Sequence, residues 1–123
     1  MTIDQGLAAE DYCYLTTTGR VTGNPHTIEI WFALHDSTIY ILSGGRDRSD
    51  WVRNARKQPR VTVRIAERWF DGVARIVEPF EPEDALARRM LLEKYAPANS
   101  DLDEWGRTAL PVVVALTPSA PPT

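Results

Sequence analysis

Residues 12–34 have the sequence YCYLTTTGRVTGNPHTIEIWFAL, which predicts two β-strands joined by a glycine-rich turn. The first segment, residues 12–18, is rich in aromatic and β-branched side chains, which are frequent in strands. Gly19 and the Gly23-Asn24-Pro25 triplet are turn formers. The second segment, residues 26–34, alternates between two faces, and its apolar face carries Ile28, Ile30, Phe32 and Leu34.

The rest of the chain predicts further strands and two main helices. One helix covers residues 50–57 after Ser49 as N-cap, and a second begins near Glu81 and ends at Pro97. Two helices are too few to cover both faces of a parallel sheet, so we expect a mainly antiparallel sheet that closes into a β-barrel with accessory helices. The further strands are predicted over residues 38–43, 60–67, 69–78 and 111–117.

Composition limits the class of protein. The 123-residue chain is 43% hydrophobic and contains one Cys, so we expect one domain over residues 1–118, a frayed Pro-rich tail over 119–123, and no disulfide framework. The first residues contain no basic segment followed by an apolar one, and no apolar run approaches the roughly 20 residues of a membrane helix. We therefore expect a cytoplasmic protein without stable membrane insertion.

The net charge of −3 hides a basic band. Residues 44–68 contain eight Lys and Arg against three acidic residues, whereas the segments on either side are each acidic by four charges. Such a band suggests an anionic ligand, although a solvated face with internal ion pairs would give the same pattern. Nucleic-acid binding is not expected, because the whole chain is acidic and no nucleic-acid motif accompanies the band.

Two glycine-containing segments are candidate anion sites. In the turn at residues 19–23, glycines allow backbone amides to approach an anion, and Arg20 and Thr22 add donors. The Gly44-Gly45-Arg46 loop precedes a helix N-terminus, another common anion site. Each segment also fits an ordinary loop. No metal site is expected, because His26 and His35 lack further ligands at a suitable spacing.

Residues 14–25, YLTTTGRVTGNP, resemble the start of the deazaflavin-dependent nitroreductase and quinone reductase family, within the split-β-barrel flavin and deazaflavin oxidoreductases. The resemblance continues through the Trp51–Asn54 segment and covers nearly the whole chain. It implies a six-stranded split β-barrel of the FMN-binding, pyridoxamine-phosphate-oxidase type. It also implies hydride transfer from reduced coenzyme F420 to a small electron-poor acceptor: a quinone, an enone or a nitro compound. An FMN-binding oxidoreductase and a non-catalytic protein that sequesters the deazaflavin remain alternatives.

The resemblance also implies which residues bind the cofactor. The chain departs from the family pattern at Val21 and His26, where cationic side chains are usual, and at Ile28-Glu29, where Asn-Pro is frequent. The resemblance implies no proton donor, and Tyr14, Tyr95 and solvent are the candidates. Because the chain is small, a homodimer that shares its site between two copies is also possible. The implied cofactor-binding residues are Arg20, Thr22, Gly23, His26, Ile28, Glu29, Trp31, Gly44, Gly45, Arg46, Trp51 and Asn54.

Overall fold

A computed structural model describes residues 3–119, which form seven β-strands and three α-helices. The helices are α1 (Asp50–Lys57), α2 (Pro82–Tyr95) and α3 (Asp103–Thr108), and short 3-10 helices cover Gln5–Ala9, Arg46–Arg48 and Ala96–Ala98. The strands are β1 (Cys13–Thr18), β2 (Pro25–Ile30), β3 (Ala33–His35), β4 (Thr38–Ser43), β5 (Arg60–Ile65), β6 (Arg68–Ile76) and β7 (Leu110–Ser119).

The strands form one antiparallel sheet in the order β2-β1-β5-β6-β7-β4-β3. β2 and β3 lie at opposite edges of this sheet, although only Trp31 and Phe32 separate them in the chain. The three Cα–Cα steps from Ile30 to Ala33 span at most about 11 Å, so the sheet has to curl until its two edges come close together. The protein is therefore mainly β, with a curled half-barrel and a few helices.

The single strand expected over residues 26–34 is interrupted, so the sheet has seven strands and the implied number of six is wrong. The interruption lies at Phe32, whose backbone binds side chains of α2 instead of a neighbouring strand. Its N–H donates to the Tyr95 hydroxyl at 3.0 Å, and its carbonyl accepts from Lys94 Nζ at 2.9 Å. Alternation along the sequence is preserved across such a break, which is why the pattern did not reveal it.

Two apolar clusters hold the fold together. The first fills the inside of the curled sheet, with Leu15, Val63 and Phe70 almost completely buried. The second packs α2 and α3 against β4 and β7 and includes Leu91 and Tyr95. Burying these side chains fixes the strand framework that carries the loops. Helix α1 contacts β1 and β6, which places it beside the turn between β1 and β2.

The expected frayed tail falls mostly outside the described residues. Ser119 is the last residue of β7 and lies opposite Trp69 of β6, while residues 120–123 are not among those the structure describes. In residues 3–119, none of the helices combines the length and the apolar character needed to span a bilayer.

Candidate functional site

The turn between β1 and β2 is tightly folded by its own backbone. The Gly19 N–H donates to the Asn24 carbonyl at 2.7 Å, and the Gly23 N–H donates to the Gly19 carbonyl at 2.9 Å. Gly23 has a φ of 79°, a conformation that favours glycine. Along residues 3–119, the amides of Val21 and Thr22 find no hydrogen-bond acceptor. The turn therefore presents two free backbone donors.

Side chains of the turn add to these donors. The Thr22 hydroxyl accepts a hydrogen bond from the Asn24 N–H at 3.2 Å, which leaves its own proton free to donate. The His26 ring lies against Gly19, where a Cβ atom would come within 2.7 Å of the His26 Nε2 atom. Gly19 is thus required for this close approach, and the imidazole borders the turn.

Asn54 of α1 fixes the turn to the helix. Its side chain is only 4% exposed. The Oδ1 atom accepts from the Arg20 backbone N–H at 3.1 Å and from Arg20 Nη1 at 2.8 Å, while Nδ2 donates to the Thr17 hydroxyl at 3.2 Å. The bond to Thr17 is buried and the two bonds from Arg20 are partly buried, so Asn54 fixes how the turn sits relative to α1.

The Arg20 guanidinium points to the same helix. Its Nη2 atom lies 3.0 Å from Asp50 Oδ1, and Lys57 Nζ donates to the Arg20 carbonyl at 2.9 Å. The Arg20 side chain is 30% exposed, whereas that of Asp50 is 83% exposed. Arg20 is therefore held on one side by a buried amide and on the other by a carboxylate that stands in solvent.

The turn, β2 and α1 together enclose a groove of about 620 Å³. β2 is an edge strand, so one side of its backbone has no neighbouring strand among those described. The apolar residues Ile28 and Trp51 line the groove together with the polar turn. The lining also includes six of the implied cofactor-binding residues: Arg20, Thr22, His26, Ile28, Trp51 and Asn54.

The remaining implied residues lie elsewhere. Gly23 belongs to the turn but not to the lining of the groove. Glu29 accepts a hydrogen bond from the Tyr14 hydroxyl at 3.0 Å. The Trp31 ring stacks on Tyr95 with centroids 4.3 Å apart and is nearly parallel to it, which makes it part of the packing against α2.

The Gly44-Gly45-Arg46 loop is also separate from the groove. A Cβ atom on Gly44 would lie 3.5 Å from the Trp105 ring, and one on Gly45 would collide with the Ser49 hydroxyl. The Arg46 guanidinium donates to the Thr108 carbonyl and borders a second cavity, of about 530 Å³, lined also by Arg107. The two glycine-containing segments therefore do not form one continuous site.

The basic band contributes little to the groove. Within the part of the chain that the structure describes, the basic residues that line the groove are Arg20 and His26, and both lie outside the band. Arg53 Nε donates to the Asp47 carbonyl at 3.2 Å, and Arg64 Nη1 donates to the Ala66 carbonyl at 2.8 Å. These contacts account for part of the band by internal hydrogen bonding.

Neither candidate proton donor borders the groove. The hydrogen bond to Glu29 raises the pKa of Tyr14, and the Arg64 guanidinium lies 4.2 Å from the centre of its ring. Burial raises the pKa of Tyr95 to about 12, and its hydroxyl is shared between the Asp11 carbonyl at 2.8 Å and the Phe32 backbone. Burial likewise raises the pKa of the Cys13 thiol to about 12, which keeps it protonated.

The sequence analysis missed Asp50 and Lys57 as partners of the turn. Asp50, Asn54 and Lys57 are spaced by four and then three residues, which places them on one face of α1. That spacing was visible in the sequence. What it did not show is that Arg20 lies against this face, because about 30 residues of other structure separate the turn from the helix.

Comparison with known proteins identifies the family. The family model described as F420H(2)-dependent quinone reductase matches residues 2–117. An F420H(2)-dependent quinone reductase of Mycobacterium tuberculosis is 29% identical over 104 residues, which are 81% of this chain and 69% of the relative.

Solved structures show the same fold at low identity. An F420-H2 dependent reductase superimposes with a TM-score of 0.69 at 20% identity, covering 85% of this chain and 93% of that one. A FAD-binding protein from Mesorhizobium loti gives a TM-score of 0.64 at 18% identity, covering 89% of this chain and 82% of the other. The fold thus occurs with more than one redox cofactor, and the family match decides between them: the chain belongs to the F420H(2)-dependent quinone reductase family, and it is an oxidoreductase that uses coenzyme F420.

Proposed function

We propose that the groove between β2 and α1 binds reduced coenzyme F420 and that the protein delivers its hydride to a quinone or a similar electron-poor acceptor. The observation that carries this assignment is that one groove is lined both by Val21 and Thr22, whose amides have no acceptor in residues 3–119, and by the apolar residues Ile28 and Trp51. The coenzyme combines an anionic phosphate-bearing tail with a flat ring system, and the groove offers a partner for each part.

The polar end of the groove suits an anionic group. Successive backbone N–H groups in a turn bind anions without a full positive charge, and the Thr22 hydroxyl adds a third donor. His26 borders the same turn, and an imidazole N–H is a further hydrogen-bond donor. A cationic side chain is usual in the family at the position of Val21. In this chain, the donors of the turn take over its role.

The apolar end of the groove suits a flat ring. Trp51 and Ile28 offer a surface against which a heterocycle can pack, and the edge strand β2 offers backbone groups beside it. When bound, the reduced deazaflavin supplies the hydride. The protein's own contribution is to orient the ring towards the acceptor and to exclude water from one of its faces.

The reduction of a quinone also consumes a proton. Tyr14 and Tyr95 both lie outside the groove lining, and the Tyr95 hydroxyl is committed to backbone groups. We therefore assign the proton to solvent at the open side of the groove. We still propose that the acidic tail of the coenzyme is bound by the loop of Gly44, Gly45 and Arg46, which lies outside the groove.

We also assign the curled sheet to the split β-barrel class. We place the reaction in the cytoplasm, where the thiol of Cys13 would stay reduced. We also propose a homodimer. A third depression, separate from the candidate groove and from the second cavity, has a volume of about 660 Å³ and crosses β1, β5, β6 and β7. It includes the exposed side chain of Val73, and this surface is suited to contact with another copy of the chain.

The experiment is a fluorescence titration of coenzyme F420, followed by menadione-dependent oxidation of its reduced form. We expect saturable binding at micromolar concentration together with turnover. Tight binding without turnover of any acceptor would indicate a sequestering protein. A yellow protein that releases FMN on denaturation would indicate the flavin alternative, and light scattering of the same sample measures the oligomeric state.

A further inference from the structure

Asp50 occupies an unusual position for a residue beside an anion-binding groove. It lines the groove, and its carboxylate lies 3.0 Å from Arg20 Nη2. Among residues 3–119, Arg20 is the one arginine or lysine in the groove lining. The charge that would attract an acidic ligand is therefore already paired with a carboxylate of the protein.

The two partners of the Arg20 side chain differ in how firmly they are held. Asn54 is buried and binds Arg20 Nη1 at 2.8 Å, so it keeps the guanidinium in place. The Asp50 carboxylate is 83% exposed, and apart from Arg20 it has no partner among the described side chains. Exposed ion pairs of this kind are weak, and rotation of one side chain breaks them. The Asp50 carboxylate can therefore leave Nη2, while Nη1 keeps its bonds to Asn54 Oδ1 and, at 3.4 Å, to the Asp50 backbone carbonyl.

We propose that Asp50 is a built-in competitor for the anionic group of the cofactor and thereby sets the cofactor's affinity and residence time. The inference rests on the proposed function, because it assumes that an acidic ligand enters this groove. When the ligand binds, its anionic group replaces the Asp50 carboxylate on Nη2, and Arg20 stays oriented by Asn54. When the ligand leaves, the carboxylate returns.

Such a competitor is useful in a reductase of this kind. The oxidised coenzyme has to leave after each turnover, so a cofactor bound too tightly would slow the next cycle. An internal carboxylate lowers the cost of releasing the ligand, because Arg20 regains a partner at once. Differences in affinity within one site are expressed mostly in the dissociation rate.

A purely structural role for Asp50 predicts a different result. Asp50 lies in the first turn of α1, where a carboxylate interacts favourably with the helix dipole. If it served only the helix, Asp50→Asn would lower the melting temperature and would leave cofactor affinity unchanged or weaker. The competitor role predicts tighter binding despite the lower stability.

The test compares the wild type with Asp50→Asn and Asp103→Asn by fluorescence titration and stopped-flow dissociation of coenzyme F420. Asp103 is a matched control, because it carries the same charge, is exposed, also lies in the first turn of a helix, α3, and lines neither the groove nor the cavity beside Arg46. We expect Asp50→Asn to bind about two- to fivefold more tightly, mainly through slower dissociation, and Asp103→Asn to change affinity less. Equal gains in both variants, or none in Asp50→Asn, would overturn the proposal.

Arg20 provides a second check on the same data. In an Arg20→Gln background, Asp50→Asn should lose most of its gain, because the carboxylate then has no guanidinium to compete for. An undiminished gain would show that Asp50 acts on the ligand directly, which contradicts the proposal. Melting temperatures of all five proteins identify any variant whose fold is damaged, and the comparison of Asp50→Asn with Asp103→Asn does not depend on Arg20→Gln.

Inorganic phosphate separates this inference from the proposed function. If coenzyme F420 binds to none of the proteins, the proposed function fails. A titration with inorganic phosphate, monitored by the NMR signal of the Arg20 side chain, then still tests whether Asp50 competes for Arg20. Tighter phosphate binding by Asp50→Asn supports the competitor role. Equal phosphate affinity in the wild type and the variant overturns it.

Discussion

Asn54 and Arg20 are joined by two hydrogen bonds to a single atom: Oδ1 of Asn54 accepts from the Arg20 backbone N–H at 3.1 Å and from Arg20 Nη1 at 2.8 Å. One buried oxygen thus fixes both the path of the turn and the direction of its only arginine. The candidate groove exists because this contact holds the turn against α1.

Replacement of Asn54 by Ala should destabilise the protein and weaken cofactor binding together. The change leaves the Arg20 N–H without its acceptor in a half-buried place, which costs about 1–3 kcal/mol in the free energy of unfolding. Urea denaturation measures the loss. Asn99→Ala is the control, because Asn99 is exposed and its side chain donates to the Tyr95 carbonyl at 2.9 Å, away from the groove. Equal losses in the two variants would contradict the assigned role of Asn54.

Replacement of Trp51 by Ala should weaken the binding of coenzyme F420 by about 1–2 kcal/mol, because a flat apolar contact is lost from the groove. The measurement is the same fluorescence titration. Trp69→Ala is a matched control, since Trp69 lies on β6 outside the groove and next to Arg64. Trp51→Phe should recover part of the affinity. If Trp69→Ala weakened binding as much as Trp51→Ala, the ring would not lie where we place it.

Replacement of Tyr95 by Phe should lower stability by about 1–3 kcal/mol, because the hydroxyl bonds to the Phe32 N–H and to the Asp11 carbonyl are both lost. The pKa of about 12 keeps Tyr95 protonated at ordinary pH, so the pH profile of quinone reduction should keep its shape. Thermal melts and initial rates between about pH 6 and 9 test both statements. A lost or displaced profile in a stably folded variant would restore Tyr95 as a proton donor.

Lys94 should make stability depend on pH. Burial lowers its pKa from 10.5 to about 8, so between these values the unfolded chain binds more protons than the folded one. Stability therefore rises with pH across this window, and below about pH 8 the charged amine opposes folding. Relative to Lys94→Met, the wild type should gain stability between pH 8 and 10, as measured by urea denaturation. A difference between the two proteins that stays constant with pH would refute the lowered pKa.

Much of the framework could be predicted from local pattern. Strands β1, β4, β5, β6 and β7 and helices α1 and α2 follow from alternation, capping residues and prolines that the sequence displays. The break at Phe32 could not be predicted, because it depends on Tyr95 and Lys94, more than 60 residues away. Helix α3 was missed for a related reason: six residues with one buried glycine carry too little periodicity.

Some residues of the candidate site could likewise be predicted from the sequence, whereas others depend on tertiary packing. Arg20, Thr22 and Asn54 could be found from the turn and from the family resemblance, and the structure brings them to one groove. The separation of Arg46 from that groove could not be predicted, since it depends on the Thr108 carbonyl of a distant segment. The pairing of Arg20 with Asp50 also depends on tertiary packing, although the helical spacing of Asp50 and Asn54 pointed to a common face.

A backbone amide NMR titration of the protein with coenzyme F420 tests most directly whether the coenzyme occupies the groove between β2 and α1. We predict saturable shifts of the Val21 and Thr22 amides and of the Trp51 indole at micromolar coenzyme, with smaller changes around Arg107 of the second cavity. Saturable binding that shifts the residues around Arg107 and leaves Val21 and Thr22 unchanged would contradict it.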